Sequence, residues 1–218
     1  MIDRKIIVFA PHPDDETLAC GGTVVKKIQE GYEVYVVVMT DGRHSHDLVL
    51  GLKEPPPEAI AKIRAKEVKE ATAILGVQSD NLILLGFEDS KLSQYVAKAK
   101  ERTIQILNEI RPVEVFVTCR EDDSEDHRAA YQIVKDSIKE VDLPTRLYEY
   151  PVWGGKVPWP GLKVLVMNVN KELGTKKEAL SKYKSQISKC FPKQKEAVLS
   201  EDFVKSFCSD SETFYTEE

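Results

Sequence analysis

Two uninterrupted apolar runs, at residues 6–10 and 34–39, bracket a stretch of helical rhythm, and no other feature constrains the fold as much. A run such as Ile6-Ile7-Val8-Phe9-Ala10, apolar at every position, suits a strand covered on both faces rather than one with a face in water. Residues 23–30 alternate polar and apolar at helical spacing, and Gly31 stands where a helix would end. Val34-Tyr35-Val36-Val37-Val38-Met39 then returns to strand, closed by Thr40-Asp41-Gly42. Strands joined through a helix pair in parallel. The expected fold is therefore α/β, a Rossmann-like, mostly parallel sheet flanked by helices.

The same alternation continues. Residues 58–75 place Ile60, Ile63, Val68, Ala71 and Leu75 near one helical face, with Gly76 at the end. Strands are expected at 81–85 and 113–118, and helices at 92–110, stopped by Arg111-Pro112, and at 126–139. Between residues 44 and 57 the periodicity fails around Pro55-Pro56-Pro57, which reads as a long loop of the kind that often carries function. Beyond Pro144 the pattern loosens. Strands at 147–152 and 164–169 flank a Gly-, Pro- and Trp-rich segment at 153–161, followed by a polar helix at 172–188 and a closing helix near 195–207. With 218 residues, 42% of them hydrophobic, and no internal repeat, the chain reads as one domain over residues 1–218 with a less regular C-terminal third.

A formal charge of −5 leaves no basic excess to neutralise phosphates, which argues against nucleic acid as a partner. Lysine pairs such as Lys176-Lys177 read as solvated helix faces. The apolar run at 6–10 is too short for a signal sequence or a membrane span, so a cytoplasmic location is expected. Cys20, Cys119, Cys190 and Cys208 form no Cys-x-x-Cys pair and read as small buried hydrophobes.

The chemistry gathers where the first strand ends, in Pro11-His12-Pro13-Asp14-Asp15-Glu16. Ligands of open α/β sheets bind outside the carboxyl ends of strands. Three consecutive carboxylates in such a crevice repel one another unless a cation is present. His12 and Asp15 are zinc ligand types, and a catalytic zinc site needs a third protein ligand. Only His44, His46 and His127 remain to supply an imidazole. His127 follows the strand at 113–118 and opens a helix, so it is preferred to the two histidines of the long loop.

These residues carry a resemblance. Ala10-Pro11-His12-Pro13-Asp14-Asp15-Glu16-Thr17 with Gly21-Gly22-Thr23, and Asp126-His127-Arg128-Ala129-Ala130 further on, resemble the two motifs of the PIG-L/LmbE-like zinc-dependent N-deacetylases. So do Arg64-x-x-Glu67-x-x-x-Ala71-x-x-x-Leu75-Gly76 and Tyr183-x-Ser185-Gln186, in the same order along nearly the whole chain. The resemblance implies a metal held by His12, Asp15 and His127, zinc with other divalent ions acceptable. It implies Asp14 as the general base that activates a zinc-bound water against an amide carbonyl, and Arg64 as a contact to substrate hydroxyls. Arg64 also reads as an ion pair with Glu67 one turn on.

The substrate class implied is an N-acetylglucosamine-type compound; homo-oligomerisation is left open. Where many relatives have the first histidine of a His-Pro-Asp-His motif, this chain has Ser124, which donates a hydrogen bond but carries no positive charge. Asp14 then makes both proton transfers, or His44 or His46 substitutes. Asp126 reads as a cap of the following helix or as a partner of a ligand imidazole, with capping preferred. Trp153 and Trp159 read as packing in preference to a sugar-binding wall. Alternatives are hydrolysis of another amide or ester, and a non-catalytic metal-binding relative. A dinucleotide-binding protein is disfavoured, since no Gly-x-Gly-x-x-Gly follows the first strand.

Overall fold

The apolar runs of the first half become the inner strands of one seven-stranded sheet in a computed structural model that describes residues 4–154 and 161–217. The strands are β1 (Lys5–Ala10), β2 (Glu33–Thr40), β3 (Leu82–Phe87), β4 (Glu114–Thr118), β5 (Arg146–Tyr150), β6 (Lys163–Asn168) and β7 (Ser211–Thr216). The helices are α1 (Asp15–Gln29), α2 (Asp47–Leu50), α3 (Pro57–Leu75), α4 (Val96–Ile110), α5 (Glu125–Val141), α6 (Leu173–Leu180), α7 (Lys184–Ile187) and α8 (Glu201–Ser206). The order across the sheet is β3-β2-β1-β4-β5-β7-β6. Its first five strands are parallel, whereas β7 runs antiparallel to both of its neighbours.

Both faces of the inner strands are covered, which is why their sequences are apolar throughout. Ile6, Val8, Ala10, Val34, Val36 and Val38 pack against α1, α3 and α6 through residues such as Val24, Val68, Ala71 and Ala179. Ile7, Phe9, Val37 and Met39 face the other way, onto Leu107 of α4 and Ala130, Ile133 and Val134 of α5. The direction of strand order reverses between β1 and β4, and the crevice at such a reversal is the usual ligand site of open α/β sheets.

The α/β expectation holds, with differences in detail. Helix α1 begins at Asp15, eight residues before the periodic stretch, because the motif itself turns straight into the helix. A 3-10 turn at Leu92–Gln94 precedes α4, and the long loop contains the one-turn α2. The helix expected at 172–188 is broken between α6 and α7, where Tyr183 turns inward, is fully buried and donates its hydroxyl to Glu16 Oε1. The closing helix shrinks to α8, and β7 was not expected at all, since Ser211, Glu212, Thr213 and Thr216 make it too polar to read as a strand.

Lys176 is no solvated face residue: it is 1% exposed and its Nζ lies 2.6 Å from Glu212 Oε1. That carboxylate also accepts the backbone N–H groups of Gly22 and Thr23 at 2.9 and 2.7 Å. A Cβ at position 22 would fall 2.6–2.9 Å from Val169, so glycine there lets the chain between β6 and α6 close on α1. Cys20 and Cys119 are buried as expected, whereas Cys190 is exposed and Cys208 partly so. No described helix is long and apolar enough to cross a membrane.

Candidate active site

The turn out of β1 and the turn into α5 meet at the strand-order reversal. His12 Nδ1, Asp15 Oδ2 and His127 Nε2 form a nearly equilateral triangle with sides of 3.3, 3.2 and 3.1 Å. A tetrahedral ion bonded at about 2.0–2.1 Å holds its ligands about 3.3–3.4 Å apart, so the donor atoms fit a metal. The outer nitrogens support this. His127 Nδ1 faces Asp122 Oδ1 at 3.2 Å, and His12 Nε2 faces Asp89 Oδ1 at 3.1 Å and Asp126 Oδ2 at 3.3 Å. Carboxylates behind two imidazoles fix the ring orientation that leaves a lone pair on the inner nitrogen. Burial works against charge on Asp15, yet His127 and His12 hold its carboxyl well below the usual carboxylate range. Burial likewise opposes charge on His127, but Asp15 and Asp122 push it up to about 9.

Asp14 adjoins this triangle in a backbone conformation unusual for a non-glycine residue, with φ of 134°. Its carbonyl accepts from Thr17 N and Leu18 N at 3.0 and 2.8 Å, and two side chains hold the rest. Its N–H donates to Glu16 Oε2 at 3.1 Å, and Arg64 Nη2 donates to its Oδ2 at 2.9 Å. Burial pushes the Asp14 carboxyl up to about 7; Arg64 opposes the shift, and Asp15 and Glu16 add to it. Strain kept in place by surrounding contacts is characteristic of functional positions.

Arg64, 3% exposed, also donates to Gly42 O at 3.0 Å and Pro13 O at 2.6 Å. The ion pair expected with Glu67 does not form: Glu67 accepts instead from Ser185 N and Oγ at 2.8 and 2.6 Å. Asp126 is not the cap of α5, since Ser124 occupies that position and Asp126 accepts from Ser90 N and Leu92 N at 2.7 and 3.0 Å. Its carboxylate therefore ties the loop after β3 to His12.

A cavity of about 590 Å³ opens over these residues and is lined by His12, Asp14, Asp15, Arg64, Asp89 and Ser124 among others. Trp153 both packs, stacked on Phe203, and borders the cavity at 38% exposure, and Trp159 lies outside the described residues. Of the two loop histidines, His44 lines the cavity with Nδ1 2.9 Å from Asp47 Oδ2 and Nε2 3.3 Å from Glu88 Oε1. His46 is 1% exposed and packs edge-on against Phe191. Sequence reasoning missed Asp89 and Asp122. Asp89 is signalled only by its place two residues beyond β3. Asp122 stands in an acidic run in which its neighbours look equivalent.

The family model described as PIG-L, GlcNAc-PI de-N-acetylase, matches residues 7–138. Among curated proteins, a probable N-acetyl-alpha-D-glucosaminyl L-malate deacetylase 2 of Bacillus cereus is 32% identical over 119 residues, 53% of each chain. A diacetylchitobiose deacetylase of Thermococcus kodakarensis is 30% identical over 109 residues, 50% of this chain and 38% of its own. The chain thus spans about half the length of the curated relatives it matches. Among solved structures, the conserved protein TT1542 of Thermus thermophilus is 30% identical with a TM-score of 0.66, covering 85% of this chain and 80% of its own. An N,N'-diacetylchitobiose deacetylase from Pyrococcus horikoshii, 23% identical with a TM-score of 0.68 and covering 87% and 72%, shares the fold.

Proposed function

Because the chain belongs to the PIG-L, GlcNAc-PI de-N-acetylase family, we propose that it is a zinc-dependent hydrolase that removes the acetyl group from an N-acetylglucosamine-type substrate. The observation that carries this reading is the triangle of His12, Asp15 and His127 beside the buried carboxyl of Asp14, which Arg64 holds in place. The relatives, named as deacetylases of acetylated amino sugars, support it.

A divalent metal in the triangle supplies Lewis acidity toward water and toward an amide carbonyl. The chain's own groups do the rest. Asp14, buried beside the triangle, takes the proton of the attacking water and returns it to the departing amine. Arg64 fixes that carboxylate through Oδ2, so the proton is moved from one defined place. Asp122 behind His127, and Asp89 and Asp126 behind His12, keep both imidazoles facing inward. Ser124 borders the cavity as a neutral donor. Both ring nitrogens of His44 face carboxylates and His46 is buried, which favours Asp14 for both proton transfers.

All described strands belong to one sheet, which supports reading residues 1–218 as one catalytic domain. Four free cysteines support a reducing, cytoplasmic setting.

The test is metal analysis of the purified protein together with release of primary amine from a panel of N-acetylglucosamine conjugates. About one metal per chain and amine release lost with chelator and restored by zinc are expected. Metal binding without amine release from any conjugate sinks the deacetylase reading.

A further inference from the structure

The cavity has a second character besides its polar floor. Leu48 and Val49 of α2 border it at 65% and 62% exposure, beside Trp153, Leu199 and Phe203. Three separate segments contribute: the loop after β2, the chain after β5, and the end of the chain around α8. Trp153 and Phe203 stack with ring centroids 4.5 Å apart and planes 19° apart, so two of these segments brace each other into a flat wall. Single apolar side chains in water are ordinary, but several converging on one cavity mark a surface that a ligand covers.

The charges of the same cavity narrow what that ligand is. Among the described lining residues the acids are Asp14, Asp15, Asp89 and Asp123. Outside the metal triangle the cationic groups among the described lining residues are His44 and Arg64, and each already faces carboxylates. His44 has Asp47 and Glu88, and Arg64 has Asp14. The polar groups of the floor are thus engaged with one another or with the metal triangle, and the part of a substrate beyond its amino sugar meets the apolar rim.

We infer that the substrate bears, beyond its amino sugar, an apolar group, alkyl or aryl, seated against Leu48, Val49, Trp153 and Phe203. This rests on the deacetylase reading above. It sets the chain apart from a relative named for an L-malate substrate, whose aglycone is a dicarboxylate.

Two measurements on the zinc-loaded full chain test it. In the first, kcat/KM for deacetylation is compared among methyl, hexyl and malyl 2-acetamido-2-deoxyglucosides, each as both anomers. In the second, calorimetry compares binding of methyl and hexyl glucosides, which carry no acetyl group. The hexyl compounds are expected to be favoured by about tenfold or more in both, with the malyl glycoside poorest. In Leu48→Asp, Val49→Asp and Trp153→Ala the hexyl-to-methyl ratio is expected to fall toward one, and a ratio is unaffected by partial loss of folded protein.

Equal kcat/KM for methyl and hexyl compounds, or preference for the malyl glycoside, overturns the inference while leaving deacetylation intact. Tight hexyl glucoside binding with no turnover of any acetamido sugar refutes the deacetylase reading and leaves the apolar subsite standing. Equal binding with no turnover overturns both.

Discussion

Arg64 Nη2 donates to Asp14 Oδ2 at 2.9 Å across fifty residues of sequence, and the same guanidinium caps two backbone carbonyls, of Pro13 and Gly42. One planar group thereby fixes the turn after β1, the loop after β2 and the proposed base. Position 42 is glycine for the same reason, since a Cβ there would come within 2.3 Å of Arg64 Nη1. A lysine ammonium at position 64 has no fork with which to reach all three acceptors. Arg64→Lys is therefore expected to lower kcat by roughly tenfold to a hundredfold, the scale of misplacing a catalytic group, with metal content unchanged. Steady-state kinetics beside metal analysis decides; an unaltered kcat removes the positioning role.

Asp14 and His127 are expected to fail differently. Asp14→Asn keeps all three donor atoms of the metal triangle and is expected to bind about one metal per chain while kcat drops by about 10² to 10⁴, the usual contribution of general acid–base catalysis. His127→Ala removes a donor and is expected to lose the metal itself. Should Asp14→Asn turn over substrate at the parent rate, the base lies elsewhere.

Asp122 and Asp126 face the imidazoles of His127 and His12, and through them would act on a metal held in the triangle. Asp122→Asn and Asp126→Asn are each expected to weaken metal affinity by about 10- to 100-fold, read by competition with a chelator of known affinity. Asp126→Asn has an added consequence, since Asp126 also receives Ser90 N and Leu92 N. Faster hydrogen exchange at those two amides is expected in that variant and not in Asp122→Asn.

The buried pair of Lys176 and Glu212 carries stability rather than chemistry. Lys176→Met leaves a buried carboxylate that retains only the amides of Gly22 and Thr23, and a loss of roughly 3–5 kcal/mol is expected in urea unfolding. Adding Glu212→Gln to that variant should return part of the loss, because the charge then disappears with its partner. A double variant no better than the single one would show that the pair is not coupled.

Much of this arrangement was legible in residue order, for reasons that differ by element. The strands β1, β2 and β4 announce themselves because both of their faces are covered, and only apolar residues satisfy that. His12, Asp14 and Asp15 were legible because charge abutting such a strand needs a cation. Lys176 misled because an ammonium partnered inside the protein has the same letter as one in water. Strand β7 was invisible because its buried acid, Glu212, finds partners from α1 and α6 that sequence distance conceals. Asp89 and Asp122 lacked any neighbour pattern separating them from surface acids, and only the meeting of three strand ends picks them out.

The turn that breaks α6 from α7 sends three side chains back toward the N-terminal half: Tyr183 to Glu16, Ser185 to Glu67, and Gln186 to Ser45. The family match ends at residue 138, before any of them. A version of the chain cut at that boundary would keep every group facing the metal triangle, yet take the Tyr183 hydroxyl from Glu16 and both Ser185 donors from Glu67. Drift along this lineage is constrained accordingly. Positions 183, 185 and 212 are free to change only in concert with 16, 67 and 176, so substitutions there should arise in pairs rather than singly.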